Sequence, residues 1–381
     1  MNSEVVDVAV VGGGIAGISV AATLAETLKV VVLERESHPG LHSTGRSAAL
    51  FSEIYGGPAV RALSRGSREF LYSPPEDFVP APIVRQRSTL HIATEEQRKH
   101  LDAFASLPDV APAVRKLNGI EARALCPILR DGYVVTAALE TASADLDVNG
   151  MHQGWLRKLR AHGGRLLVNA EVNTLEHTGS AWKVVTPEHT FRADVVVNAA
   201  GAWAATVAGW AGIELPVRGR RRSVFSFSCP DALPGCPLVI DTSGIWLRPE
   251  GRQFICGFAP PEAQDPDDQP LDVEYEAFDS FIWPALAERV PAFEAIRMTG
   301  AWAGYYEMNV FDHNAILGLH PDCDNLYFAN GFSGHGLQQC PAAGRGVAEL
   351  IRFGEYRSLD LSPVSFERIL ESRPLLEKNV I

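Results

Sequence analysis

The stretch Val5-Val6-Asp7-Val8-Ala9-Val10-Val11-Gly12-Gly13-Gly14-Ile15-Ala16-Gly17 decides the fold of this chain. Its first half is short, β-branched and nearly continuous in apolar residues, which predicts a buried parallel strand. Residues 18–28 predict a helix and residues 29–33 a second strand, which ends at Glu34. A strand, a turn of spacing Gly-x-Gly-x-x-Gly, a helix, a strand and a terminal acid together form the fingerprint of a dinucleotide-binding fold.

Each residue of this fingerprint has a physical role. Gly12 allows the tight turn, Gly14 lets a pyrophosphate approach the backbone, and Gly17 lets the helix pack against the strand. The N-terminus of the helix offers free N–H groups to the phosphates. Glu34 follows the first glycine by about 20 residues, where a carboxylate accepts hydrogen bonds from ribose hydroxyls and disfavours the 2′-phosphate of NADP. The fingerprint alone leaves both NAD and FAD open.

The composition narrows the class of protein and its partners. The chain has 381 residues, which predicts two or three domains of about 150 residues each. Hydrophobic residues make up 46% and charged residues 21%, which is typical of a soluble globular protein. The net charge of −12 argues against nucleic acid or an anionic membrane surface as a partner.

The cysteines and the N-terminus bear on the compartment. The 6 cysteines include no CxxC pair, and no His and Cys residues have the spacing of a zinc site. We therefore expect reduced, mostly buried thiols, no metal site and a cytoplasmic protein. Glu4 and Asp7 interrupt the first apolar run, so no signal peptide is expected. No segment has the roughly 20 apolar residues of a membrane span.

Three later segments also indicate cofactor contacts. Residues 39–49, just after Glu34, are rich in small polar side chains, and Arg46 among them can offset phosphate charge. A predicted strand at 191–198 and another at 326–330 each end in a glycine-containing turn before a helix. The second of these helices would direct its N-terminus at an electron-rich ring edge, as a flavin requires. The alternative interpretations are an ordinary surface loop and simple packing of helix on strand.

Through these motifs, the chain resembles the FAD-dependent D-amino acid oxidase and dehydrogenase superfamily over its whole length. The fingerprint and residues 195–203 and 331–338 stand where that family places its FAD contacts. Residues 42–49 are especially similar to bacterial D-arginine dehydrogenase. The C-terminal half is similar to the mitochondrial FAD-dependent oxidoreductase domain-containing protein, through residues 302–306, 331–339, 360–363 and 377–381.

The resemblance implies the fold class and the domains. It implies an α/β chain, α+β overall, with a GR2-type FAD-binding Rossmann-like domain and a substrate domain built on a mainly antiparallel sheet. The FAD-binding domain would be discontinuous and comprise residues 1–80, 145–215 and 310–381. The substrate domain would comprise residues 81–144 and 216–309.

The resemblance also selects FAD over NAD and implies its contacts. His42 raises the alternative of a covalent flavin link, but the similar segment of D-arginine dehydrogenase holds FAD noncovalently, so noncovalent FAD is expected. The implied cofactor-binding residues are Gly12, Gly14, Ile15, Ala16, Gly17, Glu34, Arg35, His42, Ser43, Thr44, Gly45, Arg46, Ser47, Ala48, Ala49, Val172, Ala200, Gly201, Trp203, Gly331, Ser333, Gly334, His335, Gly336, Leu337 and Gln338.

On the substrate side, the resemblance implies Tyr55, Arg222, Trp246, Tyr305 and His335 as catalytic residues. Arg222 lies in the cluster 218–222 and could hold a carboxylate bidentately, whereas the alternative for this cluster is a solvated basic edge. Many family members place an arginine two residues after a Trp-Ala-Gly motif, where this chain has tyrosines. No acid matches the one that selects a cationic side chain in D-arginine dehydrogenase, which argues against D-arginine as the substrate.

The implied activity is oxidation of a C–N bond in an amino acid or secondary amine. Hydride would pass to flavin N5, and the resulting imine would hydrolyse. Two alternatives remain open: oxidation of a 2-hydroxy acid, and a flavin-bound assembly or partner protein. The sequence leaves the electron acceptor open among O2, a quinone and a redox protein.

Overall fold

The computed structural model describes residues 3–231, 233 and 235–375. The strands in chain order are β1 (Glu4–Val11), β2 (Val30–Leu33), β3 (Leu50–Phe51), β4 (Val84–Gln86), β5 (Thr89–Ala93), β6 (Val114–Asn118), β7 (Thr136–Glu140), β8 (Ala144–Leu146), β9 (Arg165–Leu167), β10 (Thr174–His177), β11 (Trp182–Val185), β12 (Thr190–Asn198), β13 (Val217–Ser228), β14 (Leu238–Asp241), β15 (Ile245–Glu250), β16 (Gln253–Phe258), β17 (Arg297–Asn309), β18 (Ile316–Leu319) and β19 (Leu326–Asn330). The α-helices are α1 (Ile15–Leu24), α2 (Pro58–Tyr72), α3 (Arg98–Phe104), α4 (Gly119–Leu125), α5 (Val148–Ala161), α6 (Ala204–Trp210), α7 (Tyr275–Ala277), α8 (Trp283–Arg289), α9 (Gly336–Phe353) and α10 (Glu367–Leu370).

The first sheet is built on the predicted N-terminal strand. Its order is β10-β11-β12-β1-β2-β9, with β19 also paired to β12 and β18 paired to β19. Strand β1 pairs in parallel with β12 on one side and β2 on the other. Side chains on both faces of these central strands are buried, which explains the almost unbroken valine runs.

The predicted order of strand, glycine turn, helix and strand is confirmed, with one shift. Helix α1 begins at Ile15, three residues earlier than the periodicity predicted, and ends at Leu24. The early start has a local cause, because the N–H of Ile15 donates to Thr44 Oγ1 at 3.0 Å and so has a partner at the first helical position.

The second sheet carries the remaining half of the fold. Its order is β17-β13-β16-β15-β14-β5-β7-β6, and its strand pairs are antiparallel apart from β14 with β5. A separate apolar core packs one face of this sheet against α4, α8 and the 3-10 helix Pro291–Ala295. The predicted class, a Rossmann-like sheet plus a mainly antiparallel sheet, is confirmed.

The predicted domain boundaries agree with sheet membership and stay a prediction. Each strand of the second sheet comes from residues 81–144 or 216–309, and each strand of the first sheet from the other predicted segments. A small third sheet, β3-β8-β4, joins the two halves. The similarity predicted for residues 377–381 lies outside the described residues.

The arginine cluster 218–222 is part of a strand, and the cysteines form no disulfide among the described residues. The arginines at 218–222 lie within β13, because this strand pairs with β17 from Val217 onward. All six cysteines are free, and four of them are buried.

Over the described ranges, no helix combines the length and apolar character needed to cross a membrane. The same residues hold no cluster of three or more acidic, His and Cys side chains suited to a metal ion.

Candidate functional site

A cavity of about 320 Å³ connects the two sheets. On one side it is lined by residues at the carboxyl ends of β1 and β2, including Val11 and Leu33. On the other side it reaches Leu238 and Ile240 of β14. Ligands of parallel α/β sheets bind beyond the carboxyl ends of the strands, so the cavity lies where the fingerprint places a dinucleotide.

The glycine turn after β1 tolerates no side chain at two positions. Gly12 has a φ of 108°, and a Cβ there would overlap the carbonyl oxygen of Ala199. A Cβ on Gly17 would overlap the carbonyl oxygen of Gly12. Gly14 lines the cavity directly. These positions match the three physical roles that the sequence predicted for the glycines.

The carboxylate of Glu34 is held in place by the backbone. Its Oε2 accepts a hydrogen bond from the N–H of Gly13 at 2.9 Å, and its Oε1 accepts one from the N–H of Glu36 at 2.9 Å. Because each carboxylate oxygen has a second acceptor site, Glu34 remains able to bind ribose hydroxyls. His152 of α5 supports the same turn, since its Nε2 lies 2.9 Å from the carbonyl oxygen of Gly13.

The loop 39–49 spans the space between the fingerprint and the second sheet. Thr44 contacts the start of α1, as described above. Arg46 donates from Nε to the carbonyl oxygen of Leu41 at 3.1 Å and from Nη1 to that of Ala303 at 2.7 Å. The loop thus joins the phosphate end of the cavity to β17.

His42 lines the cavity beside Glu36 and Trp203. Its Nε2 is 2.9 Å from Glu36 Oε1, and this contact is the main cause that lowers the pKa of Glu36. Its ring is 4.6 Å from that of Trp203, over which the guanidinium of Arg35 also lies at 3.7 Å.

Several buried polar atoms of cavity-lining residues have no hydrogen-bond partner within the described residues. They are His42 Nδ1, Tyr55 Oη, Arg222 Nε, Arg248 Nε and His335 Nε2. Buried polar atoms in native proteins are normally hydrogen-bonded, so a bound molecule is the expected partner. Unpartnered atoms at both ends of the cavity, together with the glycine cradle, fit a dinucleotide that extends from Glu34 toward α9.

Arg222 lines the cavity, but its guanidinium is already engaged. Its Nη1 and Nη2 donate to Asp265 Oδ1 and Oδ2 at 2.8 and 2.6 Å. Its guanidinium carbon also lies 5.0 Å from the ring centre of Tyr306. The two hydrogen bonds of Arg222 that were predicted for a substrate carboxylate are therefore made to Asp265, in the loop 259–270.

The predicted aromatic residues surround the same cavity. Tyr55 is buried, its pKa is well above the ordinary value because of that burial, and its ring lies 5.5 Å from that of His91. Tyr305 donates from its hydroxyl to the carbonyl oxygen of Gln269 at 2.7 Å. Trp246 lines the cavity from β15, where its ring fills the space beside Gly257.

Several ionisable residues that line the cavity were missed by the sequence analysis, among them Arg248 and Glu307. Arg248 binds Asp145 and Glu250 through its terminal nitrogens, at 3.0 and 3.1 Å. Glu307 lines the cavity, and burial raises its pKa to about 8. Strand alternation was the available signal for Arg248, because it stands two residues after Trp246 and so projects from the same face of β15.

Most of the predicted site residues line this one cavity, but four do not. Gly17 and Gly45 shape the loops through backbone packing, and the N–H of Gly45 donates to the carbonyl oxygen of Gly40 at 2.8 Å. Gly331 adopts a φ of 68°. Ser333 is fully buried and accepts a hydrogen bond from the N–H of Asn309 at 3.1 Å. These residues form the walls behind the cavity.

The remaining predicted residues all line the cavity: Gly12, Gly14, Ile15, Ala16, Glu34, Arg35, His42, Ser43, Thr44, Arg46, Ser47, Ala48, Ala49, Tyr55, Val172, Ala200, Gly201, Trp203, Arg222, Trp246, Tyr305, Gly334, His335, Gly336, Leu337 and Gln338.

Comparison with solved structures supports the fold. L-proline dehydrogenase from P. horikoshii superposes with a TM-score of 0.84 at 23% identity, over 98% of this chain and 100% of that one. Glycine oxidase from Geobacillus kaustophilus superposes with a TM-score of 0.82 at 22% identity, over 95% of this chain and 98% of that one.

Comparison of sequences identifies the family. FAD-dependent oxidoreductase domain-containing protein 1 of Xenopus laevis is 33% identical over 433 residues, covering 99% of this chain and 85% of its own length. The sequence profile of the family described as FAD dependent oxidoreductase, or DAO, matches residues 7–350. The expectation of FAD as cofactor is thereby confirmed, and the chain belongs to the DAO family of FAD-dependent oxidoreductases.

Proposed function

We propose that this chain oxidises the C–N bond of an amino acid or a secondary amine. FAD, held by the glycine turn and Glu34, would supply the hydride acceptor for the carbon that bears the nitrogen, and water would hydrolyse the resulting imine to a carbonyl compound and ammonia or an amine. The observation that carries the proposal is one cavity that contains both the dinucleotide fingerprint and the predicted substrate residues. Tyr55, Arg222, Trp246 and Tyr305 lie along the same cavity as Gly12 and Gly14.

One part of the wall on the side of the second sheet, formed by β14 and the neighbouring residues of β15 and β16, is apolar. Leu238, Ile240, Trp246 and Phe258 all line the cavity there. Apolar walls bind apolar substituents because water is released from both surfaces. A substrate with a hydrocarbon or cyclic substituent fits this wall better than one with a second charge.

The protonation states favour a neutral amine. Burial holds the pKa of Tyr55 well above its ordinary value and raises the pKa of Glu307 to about 8, so both groups are protonated at neutral pH. A cavity without an ionised acid at these positions disfavours the ammonium form of a buried amine. Only the neutral amine has the lone pair that stabilises the developing cation when hydride leaves.

Two other functions receive less support. Oxidation of a 2-hydroxy acid needs a side chain that accepts the hydroxyl proton, and Tyr55 and Glu307 are themselves protonated. A flavin-bound partner protein would not need a cavity beside the flavin site, whereas Tyr55, Arg222 and Tyr305 line one.

The test is anaerobic reduction of the FAD-loaded protein by a panel of compounds. The panel contains D- and L-amino acids, N-methyl amino acids, cyclic amino acids and 2-hydroxy acids, and the measurement is loss of the visible flavin absorbance. We expect reduction by one class of amine. Reduction by hydroxy acids alone would refute the proposal, and no reduction by any compound would favour the partner protein.

A further inference from the structure

The side chain of Gln338, in the first turn of α9, lies between a backbone amide and an imidazole. Its Oε1 accepts a hydrogen bond from the N–H of Ser52 at 2.8 Å. Its Nε2 is 3.3 Å from Nδ1 of His335. The backbone N–H of Ser52 can only donate, so the amide oxygen of Gln338 must face Ser52 and the amide nitrogen must face His335.

This orientation determines where the imidazole proton resides. The amide nitrogen of Gln338 has hydrogens and no acceptor lone pair, so Nδ1 of His335 must accept. In a neutral imidazole one ring nitrogen accepts and the other carries the proton, which places the proton of His335 on Nε2. Burial lowers the pKa of His335 to about 4, so the ring is neutral near pH 7.

Ser52 is itself held by a buried carboxyl group. The hydroxyl of Ser52 lies 3.0 and 2.9 Å from the two carboxyl oxygens of Glu140, and the N–H of Glu53 donates to Glu140 Oε1 at 3.1 Å. Ser52 and Glu140 are both fully buried. The orientation of Gln338 therefore rests on β7 of the second sheet, far along the chain from α9.

We propose that Gln338 is a positioning residue that fixes His335 as its Nε2–H tautomer, so that the second glycine-rich loop presents a neutral hydrogen-bond donor to the flavin and substrate cavity. His335 lines that cavity, and its Nε2 has no partner among the described residues. A neutral donor stabilises an acceptor atom or a developing negative charge of the bound molecule without adding a full positive charge. The proposal depends on the proposed function in one respect only, namely that FAD and an amine substrate occupy the cavity.

The tautomer can be observed directly by nitrogen NMR of the FAD-loaded protein labelled with 15N-histidine. The chain contains 11 histidines, and the His335→Asn variant identifies the signals of His335 by their loss. We expect an acceptor-type chemical shift for Nδ1 and a protonated-type shift for Nε2. The reverse pattern, or a doubly protonated ring at pH 7, would overturn the proposal.

Two variants of adjacent glutamines separate positioning from general packing. Gln338→Met removes the donor to Nδ1 at nearly constant volume, and we expect the His335 signals to move toward a mixture of the two tautomers. Gln339→Met is the matched control, because Gln339 is equally buried but donates to the carbonyl oxygen of Val60 at 3.4 Å. Unchanged signals in Gln338→Met, or an equal change in Gln339→Met, would refute the role of Gln338.

These measurements do not depend on turnover. Failure of every amine to reduce the flavin would contradict the proposed function and leave the tautomer result valid. An incorrect tautomer in a protein that oxidises amines would contradict the positioning role alone.

Discussion

Asp265 holds the guanidinium of Arg222 through two hydrogen bonds, of 2.8 and 2.6 Å, and both side chains are buried. The segment that carries Asp265 is fastened to β13 at further points, since Asp267 accepts from Arg220 Nε at 2.9 Å and Asp268 accepts from the N–H of Gly219 at 2.9 Å. Asp265 thus occupies the place that a substrate carboxylate would take at Arg222. A carboxylate ligand must displace it or bind elsewhere.

Replacing Asp265 with asparagine tests this competition. The amide is neutral, so Arg222 keeps its shape and loses its internal counter-charge. We expect the Kd of small monocarboxylates to fall by about tenfold, or about 1.4 kcal/mol, as measured by perturbation of the flavin absorbance spectrum. Asp267→Asn is the control, because Asp267 contacts Arg220 and its side chain is 40% exposed. Weaker carboxylate binding in Asp265→Asn would contradict this interpretation.

Glu34→Ala should weaken FAD binding. The change removes the acceptor for the N–H groups of Gly13 and Glu36 and the acceptor predicted for ribose. Hydrogen bonds to charged groups contribute about 1.5–3 kcal/mol each, so we expect at least a tenfold rise in the Kd of FAD, measured by quenching of flavin fluorescence. Glu36→Ala is the control, since Glu36 does not line the cavity; an equal loss there would show that the effect is not specific to Glu34.

Gly17→Ala should abolish the cradle, whereas the same change at Gly209 should not. A Cβ on Gly17 would overlap the carbonyl oxygen of Gly12, so the turn must shift. Gly209 lies in α6 with no atom near its potential Cβ, and alanine there should be neutral or stabilise the helix by up to about 1 kcal/mol. Thermal unfolding and FAD content of both variants measure the difference. Full FAD content in Gly17→Ala would refute the predicted cradle.

The raised pKa of Glu307 predicts that the stability of the folded protein decreases as the pH rises. Burial raises its pKa from 4.5 to about 8, so the folded protein retains a proton that the unfolded chain has lost between these values. Folding that binds protons becomes less favourable as pH rises, so the wild type should lose stability relative to Glu307→Gln between about pH 4.5 and 8. Chemical denaturation of both proteins at a series of pH values measures this. A constant difference, or a gain for the wild type, would contradict it.

The parts of the site that the sequence alone indicates are those made by neighbours in the chain. The turn at Gly12, Gly14 and Gly17 and the acid at Glu34 have spacing imposed by one strand–turn–helix–strand unit. The second glycine-rich loop, before α9, belongs to another strand–turn–helix unit made by neighbours in the chain, and it too lies along the cavity. Local spacing therefore indicated the dinucleotide turn, whereas the choice of FAD and its remaining contacts came from the family resemblance.

The contacts among the predicted substrate residues could not be predicted in the same detail, because they join segments that are far apart in the chain. Asp265, in the loop after β16, binds Arg222 of β13. Burial raises the pKa of Glu307, whereas the N–H groups of Gly331 and Phe332, in the loop after β19, lower it. Nothing in the residue types at these positions specifies their partners, since the pairing follows from how the two sheets meet.

The most direct test of C–N oxidation is a single anaerobic turnover with the amine that reduces the flavin. The quantities to measure are the flavin reduced, the carbonyl compound formed and the amine or ammonia released. For an acyclic substrate, oxidation at the C–N bond followed by hydrolysis predicts one carbonyl product and one released amine or ammonia for each flavin reduced. For a cyclic amine, the carbonyl and the amine remain in one ring-opened product. Flavin reduction without a carbonyl product, or with a carbonyl product whose nitrogen is neither released nor retained as the amine of a ring-opened product, would contradict the central claim.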